Sequence, residues 1–122
     1  MPQPFKQVLT IPDTLTTSGA GRIVDVDIRA VIFGAGFDGA TIKFQAVAIV
    51  SMQDATPAAG DYVDVNDSAG LAVSVTVSAG KWITLTEAQR DALSGAHWVR
   101  VVSSSAQSGA GTVTLVGKTL YK

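Results

Sequence analysis

Glu87, Arg90, Asp91 and His97 stand within one passage, GKWITLTEAQRDALSGAHWVRVVSS at positions 80–104. Glu87 and His97 are the chain's single Glu and single His. A carboxylate, an imidazole and a cation at close spacing could carry general acid–base chemistry. That chemistry also needs a positioned nucleophile or a second titratable partner at fixed spacing, and the passage supplies neither. Its spacing reads better as punctuation between strands. Thr86 before EAQRDALSG is an N-cap signal and Gly95 a stop signal, so one short helix is predicted near 87–94. There Glu87 complements the helix N-terminus, while Arg90 and Asp91 are solvated. Ala88, Ala92 and Leu93 tuck one side onto a sheet. The expected job of the helix is to bridge one sheet edge to the other.

Other residue sets could also do chemistry. Ser103, Ser104 and Ser105 lie in a loop, and SGAG lacks the central Ser of a nucleophile elbow. Asp61, Asp64, Asn66 and Asp67 are hard oxygen ligands in one segment, and Ca²⁺ is conceivable there. Their spacing departs from the EF-hand loop, and strand–turn alternation explains it more simply. Asp25 and Asp27 share a strand face, but a glycosidase pair sits across a cleft. With Arg29 in line they read as a solvated or subunit-facing charge row. Gly34, Gly36 and Gly39 spell G-x-G-x-x-G after a strand. The dinucleotide fingerprint needs a helix next, and ATIKFQA reads as a strand. Trp82 and Trp98 are read as core anchors, Trp98 above all, with a sugar-stacking platform as the alternative. No catalytic, cofactor-binding or metal residue is assigned.

The elements that position these residues are strands. The chain has 122 residues, 47% hydrophobic and 16% charged, with 12 Gly. Val, Thr, Ser, Ala and Gly in this mixture suit short strands and tight turns. RIVDVDIRAVIF alternates so that Val24, Val26, Ile28, Ala30 and Ile32 face inward. ATIKFQAVAIVSM places Ile42, Phe44, Ala46, Ala48 and Val50 on one face, and Val47 and Ile49 suggest cover on the other side too. The parity reading gives a core of Val24, Val26, Ile28, Phe44, Val73, Val75, Ile83, Val99, Val101 and Leu115. About eight strands with one short helix predict an all-β fold, an antiparallel two-sheet sandwich of jelly-roll character. Residues 21–122 form a single β-sandwich domain. Residues 1–20, with Pro2, Pro4 and Pro12, form an extended N-terminal arm or edge strand. Such an arm is expected to reach another subunit or a capsid.

Charge and composition narrow the function. The formal net charge is −1 and no Lys/Arg run exists, so a nucleic-acid footprint is missing. The absence of Cys removes disulfides, thiolate ligands and Cys nucleophiles. FQAVAIVSM is too short to span a bilayer, and the N-terminus lacks a signal-peptide pattern. The expectation is a soluble protein made in a cytoplasm, with neither membrane nor nucleic-acid partner.

Three stretches in order carry a resemblance: FDGATIKFQAVAIVS, DYVDVNDSAGLAVSVTVSAGKWITLTEAQRDALSGAHWVRVVS and GTVTLVGK. The matching residues are Ile42, Phe44, Gln45, Tyr62, Val63, Asp67, Gly70, Ile83, Leu85, Leu93, Gly95, Trp98, Arg100, Ser103 and Thr112 to Val116. The order resembles a group of small tailed-phage and prophage proteins encoded among virion structural genes. It covers roughly two thirds of the chain, and its motifs are mostly fold punctuation. Positions 51–60 depart from the pattern, where a second DG turn is replaced by SMQDATPAAG. The resemblance implies a non-enzymatic virion component, such as a head decoration, a spike or a tail-associated protein. Its partners would be other copies of itself and phage capsid or tail proteins, in a homo-oligomer that needs no cofactor. A carbohydrate- or receptor-binding β-sandwich module is the alternative.

Overall fold

The computed structural model describes residues 2–48 and 57–120. Its elements are β1 (Pro4–Ile11), β2 (Gly21–Arg22), β3 (Val26–Phe33), β4 (Thr41–Val47), β5 (Val63–Asp64), β6 (Ser74–Thr76), β7 (Trp82–Thr84), α1 (Glu87–Leu93), β8 (Trp98–Ser103) and β9 (Gly111–Thr119). The first sheet has the order β1-β9-β3-β7. The second has the order β2-β8-β4-β5, with β6 also paired to β4. Both sheets are antiparallel. The result is the expected two-sheet sandwich with one short helix. Among the described residues, no helix is long and apolar enough to cross a membrane.

Alternation builds the core. Leu9 and Ile11 from β1, Val31 and Phe33 from β3, and Val113 and Leu115 from β9 face Ile42 and Phe44 of β4 and Val99 and Val101 of β8. β4, β8 and β9 bury every second residue because successive side chains point to opposite faces. Of the ten residues predicted to form the core, eight are buried. Ile83 is partly buried and packs against the core. Val24 is the exception. Asp25 takes a left-handed φ of 57° in a turn, so the alternation restarts at Val26 and Ile23 is buried in place of Val24. A short polar side chain tolerates that conformation better than most.

A second break lies inside β3. Its register with β9 shifts between Ile28 and Ala30, so one extra residue, Arg29, occupies the β3 side. A bulge of this kind reverses parity downstream. Val31 and Phe33 therefore point inward, and Ile32 is half-buried on the outer face. β4 ends at Val47 and Ala48 is exposed. Ile49, Val50 and most of the divergent stretch, 51–56, lie outside the described residues.

Residues 4–11 do not form a free arm. β1 pairs along its whole length with β9, from Pro4↔Lys118 to Ile11↔Gly111. Leu9 and Ile11 have the apolar bulk to belong in the core. Pro4 and Pro12 fall at the strand's ends, where they break no central ladder. The segment after β1 crosses to the second sheet, where the Ser18 N–H donates to the Val101 carbonyl at 2.9 Å. The predicted arm is thus an edge strand of its own chain plus a connector seated on β8.

α1 forms for local reasons. The Thr86 hydroxyl accepts from the Gln89 N–H at 3.2 Å, and the Thr86 N–H donates to Gln89 Oε1 at 2.8 Å. This reciprocal capping box fixes the first turn. Leu93 is buried, Ala92 is half-buried against the core, and Ala88 is exposed. The helix carries the chain from β7 in the first sheet to β8 in the second.

Candidate functional site

The residues singled out by chemistry are dispersed into separate structural tasks. Arg90 is half-exposed and paired rather than free in solvent. Its Nη2 lies 2.9 Å from Asp27 Oδ2 and its Nε 3.4 Å from Oδ1, tying α1 to β3. The Arg29 Nε approaches the same Oδ2 at 2.9 Å. The hydrogen bond from Arg90, aided by both guanidinium charges, holds the Asp27 carboxyl below the usual aspartate range. Asp25 sits in the preceding turn, so the two acids take separate structural places. Glu87 and Asp91 are exposed on α1. His97 is half-buried; its N–H donates to the Val47 carbonyl at 3.0 Å and its carbonyl accepts from Ile23 at 2.7 Å.

Ser103 and the glycine-rich turn belong to one buried hub. The Gln107 side chain is 2% exposed. Its Oε1 accepts from the Asp38 N–H at 3.0 Å, and its Nε2 donates to the Asp38 carbonyl at 2.8 Å and Ser103 Oγ at 3.2 Å. Ser103 Oγ also lies 2.8 Å from the Ser105 carbonyl. The Asp38 carboxylate accepts from the N–H and hydroxyl of Ser108, both at 2.8 Å, which lowers its pKa. Gly39 completes the turn at φ 113°, and a side chain there would crowd Ser103 Oγ. β4 follows, so the Gly34, Gly36 and Gly39 motif serves a strand-to-strand turn. These hydroxyls and amides are spent on joining loops.

The acidic segment is likewise occupied by local bonds. Asp61 accepts from the Ala58 N–H at 3.0 Å. Asp67 Oδ1 accepts from Ala69 and Leu71 at 2.9 and 3.0 Å, closing the turn that Gly70 completes at φ 81°. Asp64 accepts from Gln45 Nε2 at 2.8 Å and Lys43 Nζ at 3.2 Å, and these bonds lower its pKa. Among the described residues, no group of three or more His, Asp or Glu is arranged to hold a metal. Arg100 extends the Asp64–Gln45 chain: its Nε donates to Gln45 Oε1 at 2.8 Å while its guanidinium lies 4.3 Å from the Tyr62 ring centroid. Burial pushes the Tyr62 phenol up. Trp98 belongs to the same outer face of β8, half-buried, whereas Val99 and Val101 fill the core. The expected core anchor is therefore an outward residue. Its indole N–H is buried with no hydrogen-bond partner.

The surface that stands out is the outer face of the first sheet. Register places Val8 beside Thr114, Thr114 beside Ile32, and Ile32 beside Trp82. The row crosses all four strands. Its two ends are open, with Val8 46% and Trp82 58% exposed. Val116, half-buried, continues the apolar area in the next row. Lys6 and Lys118 are exposed beyond it on that same side, and Arg29 rises from the bulge. An apolar centre holding an exposed aromatic, with charges at its margin, has the anatomy of a protein-contact surface. The sequence had marked Trp82 as a core residue; its outward direction follows from the β3–β7 register, in which Ile83 opposes the inward Val31.

No model of a known protein family matches the chain, and no curated protein does so. Among solved structures the chain is similar to the SPBc2 prophage-derived protein YomS. The TM-score is 0.52 at 14% identity, covering 95% of each chain. At that identity the likeness is one of fold.

Proposed function

We propose that the chain is a non-enzymatic structural component of a phage particle, decorating or stabilising the capsid or its appendages. The observation that carries this reading is the Val8–Thr114–Ile32–Trp82 row, an apolar strip left open across a four-stranded sheet. A solvent-facing Trp in such a strip gains most by being covered, and Trp is the commonest kind of hot-spot residue in protein contacts. The fold shared with a prophage-derived protein and the sequence resemblance to virion proteins support the same reading. So does the use of Ser103, Asp38, Gln107, Asp27 and Asp67 as loop and element ties, which leaves them no reactive role. The partners are other copies of the chain and capsid or tail proteins.

The test is mass spectrometry and immunogold labelling of purified particles. The chain should be found in the particle at a defined place. A chain confined to the host lysate and missing from particles overturns the reading.

Trp82 also favours a second reading, a sugar-stacking platform. A saccharide site needs polar groups placed beside the ring, and the row next to Trp82 offers Thr84 and Thr114 among apolar neighbours. Quenching of Trp82 fluorescence by oligosaccharides, abolished in Trp82→Phe, would favour that reading over the first.

A further inference from the structure

We propose that the open face of the first sheet receives the acidic flank of a second copy of this chain, so that copies join head to tail. The inference gives a partner to the structural reading above. It rests on how charge and exposed apolar groups divide between two parts of the molecule.

The receiving face is basic. Lys6, Lys118 and Arg29 lie on the Val116 side of the apolar row. The carboxylate on this face, Asp27, is already held by Arg29 and Arg90. The flank formed by β5, the following turn and α1 has the opposite character. Asp61, Asp67, Glu87 and Asp91 lie on it, with Asp64 matched by Lys43. Two large apolar side chains protrude from the same region, Val63 and Leu71, each 66% exposed. Shallow grooves of about 250 and 290 Å³ run between this hairpin and α1, floored by Ala88, Ala92 and Ala96. Small residues there leave room for a bulky side chain such as Trp82 of a neighbour.

Charge decides which pairing forms. Face-to-face packing of two first sheets would bring Lys6, Arg29 and Lys118 against their own copies, which is repulsive. Packing flank to flank would do the same with the carboxylates. Only the unlike pairing sets cations against acids while covering Trp82, Val63 and Leu71 together. Because the two surfaces lie on different parts of the sandwich, each copy keeps one of each free, and the contact repeats to give a closed ring or an open chain.

Sedimentation velocity of the purified full chain across the micromolar range tests this without any particle. Wild type should form species beyond the monomer. Raising salt from about 50 mM to about 500 mM should weaken them, because screening shortens the reach of the attraction. Trp82→Glu spoils the receiving face and Val63→Lys the flank. Each alone should weaken assembly roughly tenfold or more. Their mixture should give a dimer of one variant with the other that grows no further, because one intact face meets one intact flank. Both sites are exposed, and circular dichroism checks that both variants fold. A wild-type monomer throughout overturns the proposal while leaving the particle reading to its own test. Wild-type assembly by Val63→Lys alone also overturns it, since that outcome means face-to-face pairing.

Discussion

The Arg90 guanidinium of α1 lies 2.9 Å from the Asp27 carboxylate of β3. The contact joins residues 63 positions apart and fastens the crossing helix to the first sheet. It sets a pH dependence. Asp27 has its folded pKa depressed by Arg90 first and Arg29 second. A depressed carboxyl pKa stabilises the fold above the unfolded value of about 3.9, and that stability is lost as pH falls through the lower folded value. Asp27→Asn should therefore melt below wild type at pH 7, by no more than about 5 °C since the pair is partly exposed. The gap should close at pH values below the folded pKa. Thermal melts across pH check this; a gap that widens on acidification contradicts it.

Gln107 is the polar centre of the loop end, with both the N–H and carbonyl of Asp38 bound to its amide. Gln107→Leu keeps the bulk and orphans the Asp38 N–H, while the Asp38 carbonyl and Ser103 Oγ lose one partner each but stay within bonding distance of one another and of Ser105. A buried orphan costs about 1–3 kcal/mol, so urea denaturation should show a loss of about that size.

Gly117 opposes the β3 bulge. A Cβ placed there would collide with the Asp27 carbonyl oxygen, which is backbone and cannot swing aside. Gly117→Ala should cost about 1–3 kcal/mol or more, read from the shift in denaturation midpoint. Gly19→Ala, where nothing lies within 4 Å, is the control and should change little.

Trp98 and Phe44 should separate cleanly. Phe44 is fully buried, so Phe44→Ala should cost about 3–5 kcal/mol. Trp98 is half-buried and its indole N–H lacks a partner, so Trp98→Ala should cost less than Phe44→Ala. Trp98→Phe, which deletes the orphaned donor, should stay within about 1 kcal/mol of wild type. Equal losses for the two alanine variants would show Trp98 to be an anchor after all.

Local signals were readable where local bonds carry the structure. Thr86 and Gln89 announce α1 because the capping box closes within four residues. Phe44, Val99 and Val101 were readable because nothing interrupts alternation along β4 and β8. That same alternation already places Trp98 outside, one step from Val99; its size suggested a core role that its parity denies. Val24 and Ile32 were misplaced because a left-handed Asp25 and the bulge at Arg29 reverse the count. The bulge answers to Gly117, nearly ninety residues away, and no local pattern announces it. The Trp82 row was hidden for the same reason, since it exists only once four separated strands take their register.

β9 lies between β1 and β3 at the middle of the first sheet, yet it follows every other element along the chain. As the polypeptide leaves the ribosome, β1 has no ladder partner for roughly a hundred residues, and β3 has only the short β7 beside it until β9 arrives. Closure of such distant pairs is slow, and waiting strands with open edges are prone to stick to other chains. The sandwich should therefore close late and in one step, when Gly111 to Thr119 slot between two strands already made. Ribosome stalling before Gly111 would leave a nascent chain with no centre to its first sheet. The half-made molecule would depend on holding factors during synthesis, although the finished one supplies its own ties.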